Sequence, residues 1–216
     1  MSSIILFDSV KGGVGKSTLL AQFAVKLARQ HHIAIMDCDP QGSIQKWAIR
    51  RFSNEKYPQN FDLLEADLDF LKSLKKTKEY DYILVDSAGA DTETGRAILA
   101  FTDIVISPLQ PTQSALDTIP AHNQILTGIL EYNPNIKVYY LLNDCATHHL
   151  DNEAKEAKNA LLAFLSNKPI GTVVEQFIYT RKPLKTTYAT GSSCFDLRKN
   201  KSAIEIENVI KSVLGE

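Results

Sequence analysis

The chain has 216 residues, enough for one large domain with a substantial core and a little short for two. Hydrophobic residues make up 44% and charged residues 23%, a balance typical of folded globular proteins and unlike that of disordered chains. Because the formal net charge is -1, no global cationic field is available to hold nucleic acid, and any polyanion site must be a local patch.

The cysteine pattern and the N-terminus bear on the compartment. Cys38, Cys145 and Cys194 are far apart and form no CxxC pair, which argues against a disulfide framework or a metal–thiolate site. The first residues carry neither a basic n-region nor a long apolar segment, and no apolar run approaches the roughly 20 residues that a membrane span needs. The sequence therefore predicts a cytoplasmic protein.

Short apolar runs alternate with segments of helical periodicity along the whole chain. The predicted strands are residues 4–7, 33–36, 82–85, 104–106, 138–142 and 171–174. The predicted helices are residues 16–29, 42–52, 68–74, 114–131, 153–165 and a last helix with an apolar stripe over 203–214. Pro120 should start, bend or interrupt the fourth of these helices. The alternation predicts a single α/β domain over 1–216, with a mostly parallel, twisted sheet covered by helices on both faces.

A glycine-rich run, residues 11–18, follows the first predicted strand and opens the first predicted helix. Glycines allow successive backbone N–H groups to point at phosphate oxygens, and the helix N-terminus adds partial positive charge. Lys16 should reach the β- and γ-phosphates and the Ser17 hydroxyl should ligate magnesium. The run predicts a site for ATP with Mg²⁺ that is formed by Gly12, Gly13, Val14, Gly15, Lys16, Ser17 and Thr18. Val10 stands where the general GxxxxGK[ST] pattern has its first glycine, so this is a deviant version.

Lys11 adds a second positive charge to this loop, five residues before Lys16. That charge is unfavourable unless a polyanion offsets it, so we expect Lys11 to contact phosphates, including those held by a second subunit, as an arginine finger does in trans. The alternative is a solvated lysine on a loop.

Residues 11–17 resemble the deviant Walker A box of the ParA/MinD family of ATPases. Residues 37–41, Asp-Cys-Asp-Pro-Gln, are similar to the second box of that family, and residues 83–86 to its Walker B strand. The resemblance is closest to the small plasmid-partition ATPases of the ParF type. Those lack an N-terminal DNA-binding extension, and because the first strand begins by Ile4 none is expected here.

The resemblance implies roles for the acidic and polar residues at the predicted strand ends. Asp39 would orient or activate the attacking water, Asp37 would support the magnesium shell, and Asp86 would hold magnesium through a water. Asn143 and the 108–112 loop occupy places where the family binds the base. Aspartates at strand ends, a strand-end asparagine and a rigid turn can each also be merely structural. The implied catalytic set is Lys11, Lys16 and Asp39.

Basic residues are concentrated between 181 and 201, where the only acid is Asp196 and the local charge is +5. The patch consists of Arg181, Lys182, Lys185, Arg198, Lys199 and Lys201. Such a patch is suited to gripping DNA phosphates without reading sequence, and the resemblance supports this, since ParA-type dimers bind DNA non-specifically near the C-terminus. The alternative is a solvated basic face.

The last predicted helix carries Glu205, Glu207 and Glu216 with only Lys211, which disfavours membrane attachment of the MinD kind. The resemblance implies a DNA-partition ATPase with slow intrinsic turnover that forms an ATP-bound homodimer, binds DNA non-specifically, and is stimulated by a ParB-like centromere-binding protein. Such a protein would be cytoplasmic, and nucleoid-associated when ATP-bound. The alternatives are a MinD-like or cargo-positioning ATPase, and an ATP-dependent small-molecule ligase or kinase of the same fold.

Overall fold

The computed structural model describes residues 1–89, 91–148 and 152–215, so Glu216 lies outside the described residues. Within these ranges one sheet of seven parallel strands has the order β3-β2-β4-β1-β5-β6-β7. The strands are β1 (Ser3–Phe7), β2 (Ile33–Asp37), β3 (Asp62–Leu64), β4 (Tyr82–Asp86), β5 (Ile104–Leu109), β6 (Lys137–Leu142) and β7 (Thr172–Val173). The predicted α/β fold class with a parallel sheet is confirmed.

Helices connect the strands and cover both faces of the sheet. They are α1 (Lys16–Leu27), α2 (Ser43–Phe52), α3 (Leu68–Lys76), α4 (Glu93–Leu99), α5 (Gln113–Leu116), α6 (Ile119–Ile129), α7 (Glu153–Leu165), α8 (Lys182–Ala189) and α9 (Lys201–Leu214), with a 3-10 turn at Cys194–Asp196. In the part of the chain that the structure describes, no helix combines the length and apolar character needed to cross a bilayer.

Side-chain alternation along β1 divides the core into two layers. Ile4 and Leu6 join the buried cluster under α3, α4, α6 and α7, whereas Ile5 and Phe7 join the cluster under α1, α2, α8 and α9. Because successive strand residues face opposite sides, an unbroken apolar run is what a strand buried on both faces requires. These two layers hold β1, and with it the loop that follows Phe7, rigidly at the centre of the sheet.

The strand register aligns the carboxyl ends of the three central strands. Phe7 of β1 and Asp37 of β2 both pair with Asp86 of β4. The glycine-rich run, the acidic box and the Walker-B-like strand end therefore meet at one edge of the sheet, where ligands of such sheets bind.

Several element boundaries differ from the sequence-based predictions. The predicted helix over 114–131 is two helices, because Pro120 sits in the first turn of α6, where a missing N–H is tolerated. The strand predicted to stop at residue 106 continues through Pro108, which lies beyond the last β5 residue that pairs with β1. Strand β3 and helices α4 and α8 were not predicted, since each is short or carries few apolar residues.

Candidate nucleotide-binding site

The loop between β1 and α1 is shaped to receive phosphate. Gly15 has a left-handed backbone with φ of 97°, and a Cβ there would lie 2.4 Å from Asn143 Nδ2, so only glycine fits. Gly12 and Gly13 have open space on the side where a Cβ would project. No described side chain caps the first turn of α1. Its backbone N–H groups and partial positive charge are thus available to an anion.

Lys16 is buried at the base of the loop, with only 7% of its surface exposed. Its Nζ lies 3.5 Å from Ser9 Oγ, and Ser9 Oγ in turn donates a hydrogen bond of 2.9 Å to the Lys11 carbonyl. A Cβ on Gly89, in the loop after β4, would come within 3.0 Å of the same Nζ. The ammonium is therefore held between the two loops that border the predicted phosphate position.

Ser17 and Asp86 form a pair of oxygen ligands suited to a hard cation. Ser17 Oγ donates a hydrogen bond of 2.5 Å to Asp86 Oδ2, while the buried Asp86 Oδ1 has no hydrogen-bond partner among the described residues. Burial raises the pKa of Asp86 to about 7; Ser17 and Lys16 oppose this rise, and Asp37 and Asp39 add to it. An unpaired carboxylate oxygen in such surroundings is stabilised by a bound cation, and Mg²⁺ prefers oxygen ligands. The residues present fit the predicted magnesium ion.

The Asp37 carboxylate forms hydrogen bonds with the backbone in this structure. Its carboxylate accepts hydrogen bonds from the N–H groups of Asp39, at 3.1 Å, and Gln45, at 2.9 Å. These bonds fix the turn after β2 and the first turn of α2. Burial raises the pKa of Asp37, and the nearby Asp39 carboxylate adds to the rise. The metal-supporting role of Asp37 stays a prediction.

Asp39 faces a groove of about 530 Å³ that runs over the glycine-rich loop. Its carboxylate accepts a hydrogen bond of 2.9 Å from the Gln41 N–H, which orients the side chain. The groove is lined by Gly12, Gly13, Gly15, Lys16, Ser17, Thr18, Asp39, Gln41, Ser43, Gly89 and Tyr188. The structure thus brings Asp39 to the predicted phosphate-binding residues.

Lys11 points elsewhere. Its Nζ donates a hydrogen bond of 2.7 Å to Ser114 Oγ, in the first turn of α5 of the same subunit. Lys11 is not among the residues that line the phosphate groove. Its predicted contact with phosphates of a second subunit stays a prediction.

A second cavity, of about 350 Å³, opens next to the groove and has the size and position for a nucleotide base. Asn143, predicted to contact the base, lines it, and its Nδ2 donates a hydrogen bond of 2.8 Å to the Val14 carbonyl. Of the 108–112 loop, only Gln110 reaches the cavity. The other walls come from residues that the sequence analysis did not assign to the base: Asp144, Tyr179, Arg181, Leu184, Lys185 and Tyr188. No signal in the sequence pointed to them, because α8 was not predicted.

The basic residues of the C-terminal region are not equivalent. Arg181 forms an ion pair with Glu205 of α9 at 2.6 Å, and both side chains are largely buried, at 22% and 9% exposure. Asp196, the acid in this interval, forms an ion pair of 2.7 Å with the buried Arg51. The exposed members are Lys182, Lys185, Arg198, Lys199 and Lys201, none of which forms an ion pair with a described acid.

Arg29, in the turn just after α1, joins the exposed group in space. Its Nη2 donates a hydrogen bond of 2.7 Å to the Phe195 carbonyl, three residues before Arg198. Sequence alone gave no signal for this contact, since the two segments are far apart in the chain. The part of the patch that follows residue 195 is thus more basic than its own sequence shows.

A buried polar network lies directly behind the glycine-rich loop. The Asp8 carboxylate accepts hydrogen bonds from Ser87 Oγ, at 2.5 Å, and from His122 Nε2, at 3.1 Å. His122 Nδ1 lies 3.4 Å from Ser107 Oγ. Burial alone would raise the pKa of Asp8, but the hydrogen bond and charge of His122 hold it below its ordinary value. The network joins the ends of β1 and β4 to α6.

Comparisons with known proteins agree with this geometry. Residues 5–215 match the CbiA family, described as the CobQ/CobB/MinD/ParA nucleotide binding domain. Maintenance of carboxysome distribution protein A of Gloeobacter kilaueensis is 34% identical over 103 residues, which span 47% of this chain and 46% of that protein. The protein of the same name from Halothiobacillus neapolitanus is 22% identical over 210 residues, covering 95% of this chain and 94% of the other.

One solved structure shows the fold independently. The putative plasmid partition protein BB_S35 of Borrelia burgdorferi B31, bound to AMPPNP, is 21% identical, with a TM-score of 0.76 over 100% of this chain and 99% of that one. The likeness confirms the fold class predicted from the sequence.

Proposed function

We propose that this chain, an ATPase of the CobQ/CobB/MinD/ParA nucleotide-binding domain family, works as a ParA-type partition ATPase. ATP, bound with Mg²⁺, drives the formation of a homodimer that binds DNA non-specifically and is nucleoid-associated. A ParB-like, centromere-binding partner then stimulates hydrolysis, and the dimer separates. The observation that carries this proposal is the position of Lys11, whose amine lies outside the phosphate groove of its own subunit, in an exposed hydrogen bond to Ser114. This position supports a contact with the phosphates of a second subunit.

Hydrolysis in this site depends on positioning and on charge. When bound, magnesium supplies charge neutralisation at the phosphates, and Ser17 and Asp86 are the residues that would hold it. The Lys16 ammonium and the N–H groups at the start of α1 stabilise the remaining negative charge of the phosphates. Asp39, oriented by the Gln41 N–H, accepts the hydrogen bond of the attacking water. No other carboxylate lines the described part of the groove, which fits slow intrinsic turnover.

The cargo can be a plasmid or a protein assembly. The plasmid partition protein of Borrelia and the carboxysome distribution proteins are both similar to this chain. The alignment over 95% of this chain with the Halothiobacillus protein is the observation that favours positioning of a protein cargo as the second candidate. We propose that the dimer binds DNA in either case, so both candidates make the same prediction about DNA binding.

The deciding experiment is binding to random-sequence duplex DNA without nucleotide, with ADP and with ATP, across a salt series. We expect tight binding with ATP alone, falling steeply with salt because Lys and Arg side chains displace counterions from phosphates. Replacing Lys199 and Lys201 together by Ala should lower the slope of log K against log salt by about 2. The exposed Lys72 on α3, replaced by Ala, is the matched control and should leave the slope unchanged.

Failure of DNA binding in every nucleotide state, with ATP binding verified in parallel, would refute the DNA-partition proposal. A separate measurement, sedimentation of the Lys11→Ala variant with ATP, tests the dimer. We expect this variant to bind ATP and to remain monomeric. Dimerisation equal to that of the unmodified chain would leave Lys11 as a solvated loop lysine.

A further inference from the structure

Tyr188, on α8, lies where the base cavity meets the phosphate groove, and it lines both. Its ring stacks on the Trp47 ring, with centroids 6.4 Å apart and planes 14° from parallel. The Arg50 guanidinium also lies over this ring, 5.9 Å from its centroid, and Arg50 Nη2 donates a hydrogen bond of 3.3 Å to the Tyr188 carbonyl. The side chain is therefore fixed at the junction of the two spaces.

The phenol hydroxyl of Tyr188 is buried, yet it has no hydrogen-bond partner among the described residues. A buried hydroxyl without a partner is unfavourable, and native structures keep few of them unless a ligand or water completes the bond. The hydroxyl is also a neutral donor at physiological pH, because burial and the nearby Asp86 carboxylate raise the pKa of Tyr188, while the Ser17 hydroxyl, near the phenol but outside hydrogen-bond geometry, opposes the rise. What the site lacks is an acceptor in hydrogen-bond geometry.

The surroundings of the hydroxyl identify that acceptor. The groove that Tyr188 lines also contains Lys16 and Ser17, the residues that face the predicted phosphates and magnesium. Phosphate oxygens are strong acceptors of hydrogen bonds, and bonds to charged groups are about twice as strong as neutral ones. A phenol of fixed orientation meets such an oxygen without first having to be ordered.

We propose that Tyr188 is a nucleotide-binding residue. Its hydroxyl donates a hydrogen bond to the magnesium–phosphate group of the bound nucleotide, and its ring forms the wall between the base and the phosphates. The acceptor is a phosphate oxygen or a water molecule on the metal, which share the same chemistry. This inference rests on the proposed function, because it assumes that the groove and the cavity hold one nucleotide.

The test is the affinity of Tyr188→Phe for ADP and for a non-hydrolysable ATP analogue, measured by calorimetry with magnesium and with EDTA. Loss of one hydrogen bond to a charged group should weaken binding about 10-fold. Weakening in both conditions assigns the bond to a phosphate oxygen; weakening with magnesium alone assigns it to a metal-bound water. Tyr132→Phe, at an exposed tyrosine that lines neither the cavity nor the groove, is the matched control and should bind as the unmodified chain does.

Thermal unfolding without nucleotide separates this role from a structural one. Because the hydroxyl has no hydrogen-bond partner among the residues that the structure describes, Tyr188→Phe should melt at the same temperature as the unmodified chain or higher. Affinity within twofold of the unmodified chain, in both conditions, would overturn the assignment of Tyr188. Absence of nucleotide binding by the unmodified chain would instead overturn the proposed function itself.

Discussion

Replacement of His122 by Leu is the perturbation for which the structure gives the sharpest expectation. His122 is 2% exposed and the Asp8 side chain 14% exposed, so the variant leaves a buried carboxylate without its imidazole hydrogen-bond partner. A hydrogen bond to a charged group contributes roughly 1.5–3 kcal/mol. Asp8 keeps the hydrogen bond from Ser87 and the nearby charge of Lys16, and we therefore expect a loss of about 2 kcal/mol.

The penalty should depend on pH. In the unmodified chain the pKa of Asp8 lies below its ordinary value of 3.8, so its stabilising ionisation contributes above pH 3.8 and is lost as the pH falls through the lowered pKa. In the variant, burial is no longer opposed by His122, and the pKa of Asp8 should rise. The variant then gains stability as the pH falls toward 3.8, because the buried carboxyl becomes neutral. The loss of stability should accordingly be smaller at about pH 5 than at about pH 8.

Urea unfolding followed by fluorescence measures this loss, since Trp47 is the single tryptophan of the chain and is fully buried. The control is the double variant Asp8→Leu with His122→Leu, which removes the whole pair and should be more stable than His122→Leu alone. A loss under about 1 kcal/mol, or one of equal size at both pH values, would refute the argument that the His122 hydrogen bond stabilises the buried Asp8 carboxylate.

Three further variants test the nucleotide site. Lys16→Ala should weaken ATP binding by about 100-fold, because the phosphates lose a charged hydrogen-bond donor; equilibrium binding measures this, and near-normal affinity would contradict the placement of Lys16. Asp39→Ala should bind ATP normally but hydrolyse it at least about 100-fold more slowly in a single-turnover assay, and full activity would remove Asp39 from the mechanism. Gly15→Ala should lower the free energy of unfolding by about 2 kcal/mol or more, because φ is positive there and the new Cβ would clash with Asn143. Urea unfolding measures this loss, and an unchanged midpoint would refute the argument.

The sequence was sufficient to predict where those residues of the candidate site that are contiguous in the chain lie. The glycine-rich loop needs only a strand, a turn and a helix start, all of which have local signals. Asp39 and Asp86 were also predictable, because parallel strands place their carboxyl ends at one edge of the sheet. Their detailed contacts were not: the hydrogen bonds that the Asp37 carboxylate accepts from the Asp39 and Gln45 N–H groups depend on how the turn after β2 folds.

Features formed by distant segments left no local signal. The pair of Asp8 and His122 joins positions 114 residues apart, and neither residue belongs to a recognisable pattern. The base cavity takes several walls from α8, whose few apolar residues gave too weak a periodicity for a helix to be predicted. The ion pair of Arg181 could not be predicted either, because its partner Glu205 lies on another helix and outside residues 181–201.

The ion pair between Arg181 and Glu205 has a consequence for how two ligands affect each other. Glu205 holds a wall of the base cavity through Arg181 and through the Tyr179 N–H, at 3.3 Å, and it follows Lys201 on α9 by about one helical turn. If DNA phosphates bind at Lys201, as proposed, they contact the same helix that supports this cavity wall, which would couple DNA binding to ATP binding. Such coupling is reciprocal in equilibrium binding. If ATP raises the affinity for DNA by some factor, DNA must raise the affinity for ATP by the same factor. The chain would then exchange its nucleotide most readily when it is not bound to DNA.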